Sequence, residues 1–161
     1  MAVTQEQATQ VSNPVAVPPT LNDANEVHGK LRIFHFSFTQ GSAAGDAGSL
    51  AEIAKLPGGS TRVFLPLSRI AFSAMGASRT MDLGWLAYTD QAGDAVTADP
   101  NGLDDGVDVS SAGSVNPAGT VGGSETYLFE SNGGVTITAQ INDGTIPAAA
   151  TLKGYIVYTT D

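Results

Sequence analysis

Hydrophobic positions in this chain recur mainly at every second residue. The clearest case is residues 30–38, KLRIFHFSF. There Phe34, Phe36 and Phe38 share one face, with Ile33, His35 and Ser37 on the other. A period of two predicts a strand, because successive side chains leave opposite faces of a pleated backbone. Residues 80–89, TMDLGWLAYT, alternate Met81, Leu83, Trp85 and Ala87 against Asp82, Gly84, Leu86 and Tyr88. Residues 135–141 set Val135, Ile137, Ala139 and Ile141 against Thr136, Thr138 and Gln140. Residues 62–73, 125–130 and 152–159 also read as strands. In the first of these Pro66 has no ladder donor, which implies an edge position or a bulge. Residues 50–56 fit either a helical turn or a short strand, and the abrupt stop at Pro57-Gly58-Gly59 favours the strand. Asn132-Gly133-Gly134 predicts a hairpin joining 125–130 to 135–141.

Two stretches lack this pattern. Residues 90–123 are rich in Gly, Asp, Ser and Ala and poor in large apolar residues. They read as a surface excursion with one short helical turn near 103–109. Residues 1–29 contain Pro14, Pro18 and Pro19, and their apolar residues Val11, Val15, Val17 and Leu21 show no sustained period. Such a segment cannot bury a core of its own and is expected to be an extended N-terminal arm that orders on a neighbour. The domain proper is then 30–161. Seven or so short strands and no long amphipathic helix predict an all-β fold, an antiparallel β-sandwich of jelly-roll type. Its expected core includes Phe34, Phe36, Leu65, Leu83, Trp85, Ile137, Ala139 and Ile156.

Composition narrows the functional classes. The 161 residues include no cysteine, which removes disulfides and thiolate metal sites. No apolar run approaches a membrane span, and the N-terminus lacks the basic and apolar regions of a signal peptide. Synthesis in the cytoplasm and no membrane partner are the expectations. The formal net charge is -9. Residues 30–79 hold Lys30, Arg32, Lys55, Arg62, Arg69 and Arg79, whereas residues 80–152 hold acids and no Lys or Arg. Such an acidic chain repels nucleic acid, whose affinity comes from bases displacing counterions. The basic half is expected to meet an acidic partner.

Catalytic chemistry finds little support. His28 lies at the junction of arm and domain, and His35 sits mid-strand among aromatics. Neither stands in a nucleophile-elbow or zinc-binding pattern. Residues 99–108, DPNGLDDGVD, carry the oxygen ligands that a hard cation prefers. They miss the EF-hand register, because Ser110 occupies the twelfth position where that loop needs Glu. Asp104 and Asp105 are adjacent and would point apart, which does not suit a glycosidase pair. Residues 119–123 are glycine-rich but lack the lysine of a phosphate loop. Trp85 reads as core rather than as a sugar platform. The expectation is a non-enzymatic protein with no cofactor and no metal.

The motifs Ala54-Lys55-Leu56-Pro57-Gly58, Met81-Asp82-Leu83-Gly84-Trp85 and Gly93-Asp94-Ala95-Val96-Thr97-Ala98-Asp99 follow one another within residues 50–113. In that order the chain resembles small tailed-phage virion structural proteins, of the capsid decoration or cement type encoded near the major capsid protein. The resemblance implies a β-rich protein that binds the outer surface of the capsid, has the major capsid protein as its partner, and forms a dimer or trimer. It carries over no catalytic residue. The expected capsid-binding residues are Val11, Pro14, Val15, Val17, Pro18 and Leu21 of the arm, with Lys30 and Arg32. The alternative is a receptor- or glycan-binding module of a virion fibre or tail. Fibre modules usually expose aromatic-rich loops, and residues 90–123 hold no aromatic residue.

Overall fold

Alternating sequence segments become strands throughout the computed structural model, which describes residues 17–20, 30–118 and 125–160. In chain order the strands are β1 (Arg32–Thr39), β2 (Leu50–Leu56), β3 (Gly59–Phe72), β4 (Thr80–Trp85), β5 (Tyr88–Thr89) and β6 (Ala95–Val96). They continue with β7 (Asp99–Asp108), β8 (Gly113–Val115), β9 (Thr126–Ser131), β10 (Val135–Ile141) and β11 (Thr151–Thr160). No helix occurs among the described residues.

The pairing has a simple logic. β1 pairs with β11, β2 with β10, β3 with β9 and β4 with β7, all antiparallel. The first half of the chain thus runs back along the second half as one long hairpin, rolled so that β1, β2, β3 and β4 alternate between the two sheets, as do β7, β9, β10 and β11. One sheet has the order β1-β11-β3, with β8 and β9 flanking different stretches of β3. The other has the order β2-β10-β4-β7. This is the jelly-roll sandwich expected from the pattern. The short pair of β5 and β6 interrupts the passage from β4 to β7.

The roll overturns the predicted hairpin at Asn132–Gly134. β9 and β10 lie in different sheets, so the turn crosses the sandwich. A tight crossing still needs glycine: a Cβ on Gly134, whose φ is +91°, would lie 2.3 Å from the Leu56 carbonyl oxygen. The predicted helical turn at 103–109 is also overturned. Residues 103–108 belong to β7, an edge strand held against β4 with two register shifts, and Val109 follows its end. The alternation expected over 80–89 stops at Trp85, and Ala87 is exposed.

Pro66 sits at a bulge, one of the two placements its missing donor allowed. The register of β3 against β11 shifts between the Arg69–Tyr155 and Phe64–Val157 pairs. Ser68 fills the gap. Its hydroxyl donates to the Phe64 carbonyl at 2.8 Å and accepts from the Val157 N–H at 3.0 Å. The Asn116 side-chain amide donates to the Pro66 and Ser68 carbonyls. The backbone groups freed by the bulge are therefore largely re-paired, as burial demands.

Between the sheets Leu65, Leu83, Trp85, Ile137, Ala139 and Ile156 are buried as expected. Phe34 and Phe36 are not. They lie half-exposed against the core, because β1 is an edge strand beside the open side of the sandwich. Trp85 packs 4.7 Å from the ring of Tyr127 and edge-on to Phe129 at 5.3 Å. Its indole N–H donates to the Thr97 carbonyl.

Candidate functional site

A rolled sandwich ends in strand edges, and two of them come together here. β1 is bonded on one side only, to β11, and β2 on one side only, to β10. The two edges pack beside each other. Between them runs an open groove of about 580 Å³, lined by Arg32, Phe34, Lys55, Leu56, Pro57 and Tyr158 among others. A smaller hollow of about 160 Å³ shares Phe34 and Lys55 and adds Glu52. Leu31, Ile33 and Leu50, all on or beside these two edges, are among the most exposed large apolar side chains. An open strand edge is a ready template for an extended chain. Partly exposed apolar side chains, unpaired edges and two bases give this groove the features that can hold an extended chain.

The predicted contact residues fall unevenly around it. Arg32 lines the groove and Lys30 is exposed just before β1. Val17 is 97 % exposed and Pro18 is exposed. Val11, Pro14, Val15 and Leu21 lie outside the described residues, as do His28 and residues 119–123. Phe34 and Tyr158 were not expected to belong to a site, and Lys55 was expected only as one base of the half that meets an acidic partner. No local signal could have joined them, since residues 32, 55 and 158 meet only when the roll closes.

The basic run of residues 30–79 does not form one patch. Arg62 donates to the Thr126 hydroxyl, and Arg69 donates to the Ser114 hydroxyl at 2.8 Å across β3 and β8. Arg79 bonds the Thr145 carbonyl and lies against Gly76 and Gly144, where added Cβ atoms would crowd its guanidinium. Only Arg32 and Lys55 of the run line the groove. His35 is exposed on β1, with its ring 5.8 Å from that of Tyr155.

The acidic stretch 99–108 lies at the other edge of the second sheet, in β7. Its carboxylates are engaged locally. Asp82, buried on β4, accepts from the Gly106 N–H at 2.9 Å and from the Asn142 amide at 2.6 Å. Asp104, also buried, accepts from the Asp105 and Ala118 N–H groups. Burial raises the Asp104 pKa above the usual carboxylate value, against the lowering effect of those two donors. The charge of Asp82 raises that of Asp105. The Ser110 backbone N–H, the largest of its causes, lowers that of Asp108. No group of three or more acidic or histidine side chains able to hold a metal occurs among the described residues.

No protein-family model matches the chain, and no curated protein matches it. Among solved structures, it is similar to a chain of the cyanophage Pam1 capsid asymmetric unit. The TM-score is 0.54 at 13 % identity, over 91 % of this chain and 96 % of that one. A weaker likeness, with a TM-score of 0.41 and 10 % identity, is to the Gt strain of infectious bursal disease virus, over 83 % of this chain and 33 % of that chain. At these identities the likeness is one of fold.

Proposed function

We propose that this protein is a virion component that decorates the outer surface of a phage capsid and stabilises the shell. The observation that carries this reading is the near end-to-end likeness in fold to a chain of a cyanophage capsid asymmetric unit. The open β1 and β2 edges support it, because a sheet edge with free backbone groups and exposed apolar side chains beside it can take up an extended segment of a partner. The partner is the major capsid protein, met by the arm residues Val11, Pro14, Val15, Val17, Pro18 and Leu21 with Lys30 and Arg32. The protein acts as a dimer or trimer and works by binding, not by catalysis. Any contact made only in the assembled shell stabilises that shell by mass action.

The test is to mix the purified protein with undecorated capsids and to image them. Ordered density at fixed lattice positions on the outer surface is expected. A variant lacking residues 2–27 should melt within a degree or two of the full chain yet bind capsids at least about tenfold more weakly, a loss of about 1.4 kcal/mol. Bare capsids at saturating protein would remove the reading. Undiminished binding by the truncated variant would move the contact from the arm to the folded face.

A further inference from the structure

The arm residues proposed above to meet the shell also match a surface of this chain itself, so a contact between copies competes with, or adds to, their contact with the shell. Residues 1–29 carry Glu6, Asp23 and Glu26 and no Lys or Arg. The main β1–β2 groove is lined by Arg32 and Lys55 and by no acid. The arm offers Val11, Val15, Val17 and Leu21, and the groove offers the partly exposed Phe34 and Tyr158 and the exposed Pro57. We propose that residues 11–21 of one copy lie in the β1–β2 groove of a second copy, so that arms link neighbouring copies.

Charge sets the orientation. Asp23 and Glu26 follow the apolar segment and can meet Arg32 and Lys55 at the rim, a contact that added salt weakens. Pro14, Pro18 and Pro19 lack N–H donors, so any pairing with a strand edge uses the N–H groups of the other residues. Reach is sufficient. Residues 21–30, if extended, span about 30 Å at about 3.3 Å per residue. A domain of about 130 residues has a radius of gyration of only about 14 Å.

The chain's own groove is the poorer host. The arm joins the domain at Lys30, next to Arg32 in the groove wall, so it would have to turn back through residues 22–29 to re-enter. Residues 17–20, within the same arm, are all exposed in the single chain, and Val17 is 97 % exposed. A neighbour's arm enters the groove without that reversal. Linked copies would then grip a shell through several weak contacts at once, which raises avidity without any new contact to the shell.

The absence of native cysteine makes the proposal directly testable in the full-length protein. A Val15→Cys chain carrying an added tag is mixed with an untagged Thr160→Cys chain, Thr160 being another groove residue. Under mild oxidation the mixed, tag-shifted dimer should form. It should exceed by at least fivefold the yield with Lys153→Cys, an exposed position outside the groove lining. Adding Arg32→Glu and Lys55→Glu to the Thr160→Cys chain should cut that yield at least fivefold. Light scattering of the uncrosslinked wild type should show a concentration-dependent oligomer. Mixed-dimer yield no higher than the Lys153→Cys control overturns the proposal. So does a Val15→Cys, Thr160→Cys double variant that closes only within one chain, or a yield unmoved by the charge reversals. The inference stands apart from shell binding. Decoration without cross-linking removes this proposal alone, and cross-linking without decoration removes the shell reading alone.

Discussion

Replacing Trp85 with alanine tests whether the aromatic cluster holds the two sheets together. Trp85 is 5 % exposed and touches the rings of Tyr127 and Phe129, which come from the facing sheet. An aromatic side chain buries about 150–250 Å². At about 25 cal/mol per Å², transfer contributes at most about 4–6 kcal/mol, less whatever the alanine methyl retains. The lost ring contacts and the residual cavity keep the cost near the usual range for such truncations, so about 4 kcal/mol is expected. For a domain of this size that lowers Tm by about 15 °C. The indole bond to Thr97 adds little, because at 3.3 Å it is long. The wild type can be followed by intrinsic fluorescence, since Trp85 is the sole tryptophan. The variant must be followed by circular dichroism in a urea titration. Trp85→Phe should recover roughly half of the loss by keeping a ring in the cluster. A loss below about 1 kcal/mol, or wild-type emission matching tryptophan free in water, would refute the packing argument.

Three further outcomes follow from particular residues. The Thr138 hydroxyl is fully buried on β10 with no hydrogen-bond partner, so Thr138→Val should raise stability by about 1 kcal/mol in the same titration; a loss would mean that the hydroxyl is satisfied in solution. A Cβ on Gly84 would lie 1.8 Å from the Asp99 carbonyl oxygen, so Gly84→Ala must spread β4 from β7 and should cost about 3 kcal/mol or more; a near-neutral variant would mean that β7 gives way freely. Because Asp104 is raised by burial, its favourable contribution is complete below the unfolded carboxylate value and is lost as pH rises through the higher folded value; melting curves from pH 3 to 7 should show wild-type stability falling relative to Asp104→Asn, and parallel curves would rule out this linkage.

Period-two alternation, turn residues and the lack of a long amphipathic pattern were enough to determine the apolar strands and the sandwich class. They act through nearest neighbours: pleat, φ limits and the missing donor of proline operate over a few residues. For that reason β2, β10 and β11 appear almost where the pattern placed them, and Pro66 sits at a bulge. Charge and the absence of cysteine were equally legible, being sums over the chain.

Partner choice between distant strands was not legible. Asn132–Gly134 carries a strong hairpin signal, yet β9 and β10 part to opposite sheets, because both already have better partners in β3, β2 and β4. Residues 99–108 look too polar for a strand. β7 exists because β4 offers an edge and because Asp82 and Asp104 find backbone donors inside the fold. The groove follows the same rule. Arg32, Lys55 and Tyr158 are far apart along the chain, and only the roll that pairs β1 with β11 and sets β1 beside β2 brings them to one cleft. Local sequence encodes local conformation, whereas a site assembled from remote residues comes from burying both faces of many strands at once. No short stretch of the chain carries that constraint.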